Sequence, residues 1–264
     1  MSRARWVARE LGPPLAGIVG LIVVWAVIAA VTTTDSIPSP TDVWEAFLDG
    51  LRDGTLWAAT WRTLVRLAFS FTVAVGLGTA IGMGLALHEF TRRSIRPLIV
   101  ALQITPFVAW VPIAVIWFGV SERAVVFVAI VGAFPAMTLA TIQAFRQVPP
   151  LYERAGRTLG ATGWDLYRQV IFPAALPGYM AGLQQAWGFA WKALMAGELI
   201  VAAASSTGLG HLLADQLLTN QAGDITALLA ALSVIVVIGV AVEYLVFGRL
   251  DRRVRRRRGL LLEG

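Results

Sequence analysis

A few charged side chains of this chain stand inside long apolar runs or at the start of one. Lys192, Glu198 and Glu243 lie within such runs, and Arg62 and Arg66 lie near the start of another. A charge in hydrocarbon is costly, and it usually faces a cavity or pairs with another group. These residues therefore predict either a path for a polar solute or ion pairs between helices.

The run that contains Lys192 carries the densest set of these side chains. A helix would place one narrow stripe of polar and large side chains along it: Gln184, Trp187, Trp191, Met195 and Glu198. Lys192 lies on the neighbouring face with Gln185. Lys192 and Glu198 would stand about 120° apart around the helix and ~9 Å along it, so we do not expect them to pair.

We predict that a substrate path is lined by six side chains: Gln184, Trp187, Trp191, Lys192, Glu198 and Gln103. A cation at Lys192 would favour anionic cargo. The alternative is that Lys192 pairs with a carboxylate on another helix, or extends its ammonium group to the membrane surface. For Glu243 we expect an ion pair with a loop arginine.

Several classes of site are excluded by composition. The chain has no cysteine and only two histidines, so neither a disulfide framework nor a zinc site is expected. Its single lysine, Lys192, is followed by Ala193 and cannot belong to the Gly-Lys-Ser/Thr phosphate loop of a nucleotide hydrolase. We therefore predict a chain that binds no cofactor and is not an enzyme.

The apolar runs themselves predict the fold class. Hydrophobic residues make up 57% of the 264 residues and charged residues 14%, against about 25% charge in soluble domains. A helix needs ~20 apolar residues to span a bilayer, and a helix satisfies its own backbone in lipid. We predict an all-α, polytopic membrane protein whose residues 1–264 form one transmembrane domain. The six predicted spans are 11–34, 60–87, 97–120, 124–145, 173–203 and 225–248.

Arginines predict the orientation in the membrane. They cluster at both ends of the chain and in every second connection, while the alternate connections are acidic or nearly uncharged. The excess of positive charge on cytoplasmic loops places both termini in the cytoplasm. The arginines form no continuous face, so nucleic acid is not an expected partner. Short helices are predicted outside the membrane at 38–53, capped by Thr41 or Ser39, and at 207–220.

The longest polar interruption in the second half is the predicted cytoplasmic loop 149–172. A helix is expected over Tyr152–Leu159 and is ended by Gly160 in a left-handed conformation. A second helix is expected over Trp164–Ile171. Between them, Gly160, Ala161 and Thr162 form an elbow of small residues that can enter the cleft of a partner protein. The alternative is a merely solvated loop.

The loop also carries a resemblance to a known family. RAGRTLGATGWDLYRQVIFPAALPG is similar to the "EAA" loop of binding-protein-dependent ABC importer permeases. Arg154, Ala155 and Gly156 take the Glu-Ala-Ala positions, so an arginine stands where the family has a glutamate. IPSPTDVWEAF, TPFVAWVPIAVIWFG and GLQQAWGFAWKALMAGELI resemble the sulfonate, taurine and nitrate branch of these permeases.

The resemblance implies the transmembrane domain of a type I ABC importer in the cell membrane. Its partners would be two ABC ATPase subunits, which bind ATP and Mg, a second permease copy in a homodimer, and an extracytoplasmic binding protein. The ATPase-coupling residues would be Arg154, Ala155, Gly156, Arg157, Thr158, Leu159, Gly160, Ala161, Thr162 and Trp164. The implied cargo is a small organic anion of the sulfonate, taurine or nitrate kind. Alternatives are a vitamin or pyrimidine precursor carried in the same way, or an autonomous channel or membrane signalling scaffold.

Overall fold

A computed structural model describes residues 3–32, 37–201, 208–218 and 225–257, and all regular structure in these ranges is helical. The first half contains α1 (Arg3–Val31), α2 (Pro40–Arg52), α3 (Thr55–Leu87), α4 (Glu89–Ile104), a 3₁₀ turn (Phe107–Trp110) and α5 (Val111–Phe118). The second half contains α6 (Glu122–Arg146), α7 (Pro150–Thr158), α8 (Gly163–Leu166), α9 (Phe172–Ile200), α10 (Leu209–Leu218), α11 (Ile225–Ala241) and α12 (Gly248–Arg257). Wide π turns over Tyr167–Ile171 and Val242–Phe247 join α8 to α9 and α11 to α12.

Three helices are long and apolar enough to cross a membrane by length and composition: α3, α6 and the continuous helix Ile225–Val254. A fourth is reached only if α4 and the helical segment Phe107–Phe118 are counted as one span. The apolar part of α1, Ala16–Val31, is shorter. The all-helical membrane fold is confirmed, while the count of six spans stays a prediction.

The predicted third span is broken. Its two parts meet at an angle of 97°. Thr105 and Pro106 both have extended backbone there, with ψ of 124° and 128°. Pro106 lacks an N–H to continue the hydrogen-bond ladder, and the residue before a proline is biased away from the helical region. A proline within a helix favours a kink, and the structure has a sharp corner here.

The helix α6 forms the centre of the bundle and packs most extensively against α9 and α3. Small residues allow the close approach. A Cβ at Gly182 of α9 would lie 2.5 Å from Ala140 Cβ, and one at Gly78 of α3 would lie 2.7 Å from Met137 Cβ. The small residues of α3 that pack closely are Gly78 and Gly82, while a Cβ at Gly76 or Gly84 would have nothing within 4 Å.

The short helices predicted outside the membrane are both present. Ser39 caps α2: its Oγ accepts from Asp42 N at 3.3 Å, and Asp42 Oδ2 accepts from Ser39 N at 3.0 Å. This reciprocal pair satisfies two of the donors that every helix start leaves free. The second helix is α10, which packs against α9 and α11.

Candidate functional site

A cavity of about 390 Å³ opens along one side of α9. It is lined by Ala181, Gln184, Gln185, Gly188, Phe189 and Lys192 of α9, together with Glu243 from the turn after α11. The predicted path residues Gln184 and Lys192 thus share one cavity. The lining residues of α9 recur at helical spacing, so one face of the helix presents them together.

Lys192 is exposed in this cavity and unpaired. Within the described ranges it forms neither a hydrogen bond nor an ion pair, although it lies in a predicted membrane-spanning helix. The alternative that Lys192 pairs with a carboxylate on another helix of the same chain is therefore wrong for the described residues. An ammonium group left without a partner at such a position requires water or an anion from outside the chain.

Glu243 faces the same cavity from the opposite helix. Its Oε1 accepts a hydrogen bond from Gln184 Nε2. No basic side chain among the described residues forms an ion pair with it, so the expected pair with a loop arginine is wrong for that part of the chain. Gln184 instead orients the carboxylate beside the cavity.

The other predicted path residues lie elsewhere. Trp187 and Trp191 stack on each other with ring centroids 6.2 Å apart. Trp187 also meets Phe71 of α3 edge-on at 5.6 Å, and both indoles pack against the buried core. Gln103 is half-buried near the end of α4 and does not line the cavity. These large side chains contribute to packing between helices instead of lining this cavity.

Glu198 is separated from the cavity by complete burial. Its side chain is 2% exposed, and its Oε1 accepts from Arg66 Nη1 at 2.8 Å. Thr63 Oγ1 donates to the same carboxylate at 2.9 Å. Arg66 is also bound by Glu122, with Nη2 and Oε1 2.7 Å apart. The expectation that Lys192 and Glu198 do not pair is confirmed, but Glu198 joins helices and does not line the path predicted for it.

The carboxylate of Glu198 also accepts a hydrogen bond from the start of α10. Gly210 N donates to Glu198 Oε2 at 3.0 Å, and Leu209 N donates to Thr63 Oγ1 at 2.9 Å. The first N–H groups of a helix lack partners within the helix and carry positive charge, so a carboxylate is a favourable partner. The Glu198 network, defined as Thr63, Arg66, Glu122 and Glu198, thus ties together α3, α6, α9 and α10.

The predicted coupling segment is an exposed elbow. The helix α7 is followed by Gly160, whose φ of 88° is the left-handed conformation predicted for it. Five large apolar side chains on the segment are exposed: Leu151, Tyr152, Leu159, Trp164 and Phe172. Leu159, next to the glycine, is 87% exposed. Exposed apolar side chains grouped in this way are typical of a protein contact surface.

The three residues at the Glu-Ala-Ala positions take different roles. Arg154 and Ala155 are exposed, whereas Gly156 is buried, and a Cβ there would lie 2.7 Å from Leu166 Cδ1. Gly156 therefore lets α7 pack closely against the following helix. Glu153 is paired with Arg157 at 2.6 Å on the same helix. The remaining predicted coupling residues Thr158, Ala161 and Thr162 lie on or next to the elbow.

Two parts of the site were missed from the sequence. Thr63 carries no pattern that marks it, because threonine is common within spans and its partners lie 135 and 146 residues away. Glu243 was recognised as a charge in an apolar run, but its place in the cavity depends on how α9 and the last helix pack. The position of either residue depends on contacts between helices that are far apart in the sequence.

A family model matches residues 73–256, well over half of the chain. It describes the inner membrane component of binding-protein-dependent transport systems. This chain belongs to that family. The permease therefore works as the membrane part of an ABC transporter, with an ATPase and a binding protein as partners, and ATP hydrolysis belongs to the separate ATPase subunit.

Named relatives agree with the family. The permease is 30% identical over 224 residues to the bicarbonate transport system permease protein CmpB of Synechococcus elongatus, covering 80% of this chain and 79% of CmpB. It is 29% identical over 250 residues to the taurine transport system permease protein TauC of Escherichia coli, covering 90% of this chain and 88% of TauC. The resemblance to the taurine branch is thereby confirmed.

The fold has a counterpart among solved structures. An inward-facing conformation of the MetNI methionine ABC transporter superposes with a TM-score of 0.63 at 20% identity, covering 76% of this chain and 96% of that one. At this identity the likeness shows the fold alone, which is that of an ABC importer transmembrane domain.

Proposed function

We propose that this permease passes a small anion along the face of α9 that contains Lys192. The observation that carries the proposal is the unpaired, exposed ammonium group in the cavity. The relatives named for bicarbonate and taurine transport support it, because both solutes carry an anionic group. Gln184 and Gln185 add amide donors that can replace water around such a group.

The elbow at Gly160 is proposed to dock into the ATPase. Its support is the group of exposed apolar side chains around a left-handed glycine, together with the resemblance to the coupling loop. Leu159 would enter the partner's cleft. Since Arg154 replaces the family's glutamate and Glu153 is held by Arg157, the contact would rest on apolar burial more than on a carboxylate.

The assembly is proposed as a homodimer of this permease with two ATPase subunits, both termini lying in the cytoplasm. Apart from Glu243, the described lining of the cavity comes from α9 alone, and a second copy facing it across a path would cover its open side. Arginines at the end of the chain, including Arg249, Arg252 and Arg253 of α12, support the orientation.

The path is tested by the substitution Lys192→Gln. Uptake of taurine or bicarbonate into proteoliposomes that contain the complete transporter is expected to fall about tenfold, the size of one lost charge-assisted contact of roughly 1.4 kcal/mol. ATPase association should stay normal. Unchanged uptake of both solutes by an intact Lys192→Gln transporter would remove Lys192 from the path.

The docking surface is tested by the substitution Leu159→Asp. A charge on the docking side chain should prevent co-purification of the ATPase subunit, because it would be buried without a partner. The matched control is Leu51→Asp, which changes an exposed leucine of α2. Equal loss of the ATPase in both variants would point to misfolding, and retention of the ATPase by Leu159→Asp would contradict the docking role.

A further inference from the structure

The cavity on α9 carries charges of both signs, and neither is neutralised by the described chain. We infer that it is built for a small zwitterion, with an anionic group held at Lys192 and an ammonium group held at Glu243. This inference deepens the proposed function, since it rests on the cavity being part of the path. The ligand class is an aminosulfonate or amino acid of a few heavy atoms.

Lys192 is the residue that holds the anionic group of the ligand. Its ammonium group has three donors and cannot accept a hydrogen bond. Both Gln185 and Gly188 line the cavity beside it, and a Cβ at Gly188 would have nothing within 4 Å. The space next to the ammonium group is therefore open enough to admit an anion with its own volume.

Glu243 is the residue that holds the ammonium group of the ligand. Gln184 Nε2 donates to Oε1 and thus fixes the carboxylate, while Oε2 accepts from no described residue. A carboxylate has about four lone-pair sites, so one donor leaves most of its capacity unused. An ammonium group on the ligand would meet an oriented acceptor of opposite charge.

The two charges line one cavity, yet their N and O atoms are not within the 4.0 Å that would make an ion pair. A gap of this kind can be bridged by a ligand that has both charges at its ends. A plain anion would satisfy Lys192 but would add a second negative charge beside Glu243, which disfavours binding. The volume of about 390 Å³ lies at the small end of ligand sites, which span roughly 300–1,000 Å³.

The experiment compares two probes that differ only in the ammonium group: 2-aminoethanesulfonate and ethanesulfonate. Binding of each is measured by calorimetry on the purified permease–ATPase complex in nanodiscs, without binding protein. The intact transporter is expected to bind the amino compound at least tenfold more tightly. Glu243→Gln should abolish this preference, and Glu243→Asp, which keeps the charge, should retain part of it.

Two further variants separate this inference from the path itself. Lys192→Gln should weaken both probes, and Glu45→Gln, an exposed carboxylate of α2, should alter neither. If Glu243→Gln keeps the tenfold preference while Lys192→Gln weakens both probes, the zwitterion site is overturned and the anion path stands. If Lys192→Gln changes neither affinity, the path and this inference fail together.

A second copy of the chain could also neutralise the charges. The natural chain has no cysteine, so a Lys192→Cys and Glu243→Cys pair reports contact between copies without background. An efficient cross-link between the two positions of different copies would mean that they pair with each other, and it would overturn the ligand site. Its absence, together with the probe preference, supports the site.

Discussion

The helix α9 carries two charges six residues apart, and their surroundings are opposite: one is buried and paired, and the other is exposed and unpaired among the described residues. Glu198 is 2% exposed and meets Arg66, Thr63 and the backbone of α10. Lys192 is exposed in a cavity and meets no described partner. A charge within an apolar run is therefore not by itself evidence of a functional site.

The reason lies in the neighbouring elements. At Glu198, the start of α10 and the side chains of Thr63 and Arg66 converge on one carboxylate, and Glu122 of α6 binds the same Arg66. Removing a single partner would leave buried charge unpaired. Lys192 instead borders an open cavity that Glu243 also lines. A fully paired buried charge holds helices together, whereas an unpaired accessible one is available to a ligand.

The largest expected contrast is in stability. Glu198→Ala should lower the free energy of unfolding by about 3–5 kcal/mol, because it breaks a buried ion pair. Lys192→Ala should change the free energy of unfolding by less than about 0.5 kcal/mol, as for other exposed positions. The measurement is the unfolding midpoint of the purified permease in one detergent.

A double variant controls this first contrast. Arg66→Met combined with Glu198→Met removes both members of the pair, and we expect it to be more stable than either single variant, since no buried charge is stranded. Equal midpoints for Glu198→Ala and Lys192→Ala would abolish the distinction between the two regions.

Two glycines, one beside Glu198 and one in the cavity with Lys192, differ in the space around them. A Cβ at Gly210 would lie 2.6 Å from Glu198 Cβ and 2.9 Å from the backbone oxygen of Met195, so Gly210→Ala should destabilise by about 1–3 kcal/mol. A Cβ at Gly188, in the cavity, would meet nothing within 4 Å. Gly188→Ala should be neutral or stabilise by up to about 1 kcal/mol, since alanine is the better helix former.

A loss of stability in Gly210→Ala without a loss in Gly188→Ala is the outcome that supports close packing at Glu198 and open space at Lys192. The check is the same unfolding midpoint, read beside wild type. A loss of stability in Gly188→Ala as large as in Gly210→Ala would mean that the cavity is filled when the protein is assembled.

The smallest expected effect belongs to Asp53, an exposed charge before the start of α3 that sits outside both regions. Thr55 donates to its Oδ1 from the backbone N at 2.8 Å and from Oγ1 at 2.7 Å. These backbone and side-chain hydrogen bonds lower the pKa of Asp53. Because the folded-state pKa lies below the unfolded value, the carboxylate stabilises the fold at neutral pH and loses this effect as the pH falls below about 4.

The substitution Asp53→Asn replaces this carboxylate with an amide that does not titrate. The unfolding midpoint of wild type should exceed that of the variant slightly at about pH 7, and the difference should shrink as the pH falls below about 4. A difference that grows as the pH falls would contradict the stated direction.

Local signals predicted the elements well. Ser39 caps α2, Gly160 turns left-handed after α7, and the polar interruption after α6 forms the exposed elbow. Each depends on contacts within a few residues, where propensity and hydrogen bonding act directly. The corner of 97° at Pro106 does not follow from such local signals, because a proline sets where a helix breaks but neighbouring helices set the angle.

The candidate site was only half predicted. Gln184 and Lys192 could be placed on adjoining faces of α9 by helical spacing, and both line the cavity. Trp187 and Trp191 share that helix but pack inward, and Glu198 is buried by α10. Spacing gives the relative angle of side chains on one helix, but it does not say which angle meets another helix.

The sequence was enough to indicate a helical membrane permease and to predict the elbow at Gly160, which the structure leaves exposed. Long apolar runs, arginine placement and glycine chemistry are local properties that need no knowledge of packing. Only the tertiary structure decided which charge is structural and which is free. That choice depends on the convergence of Arg66, Thr63 and α10 on Glu198, and of Glu243 towards Lys192, over separations that no local pattern records.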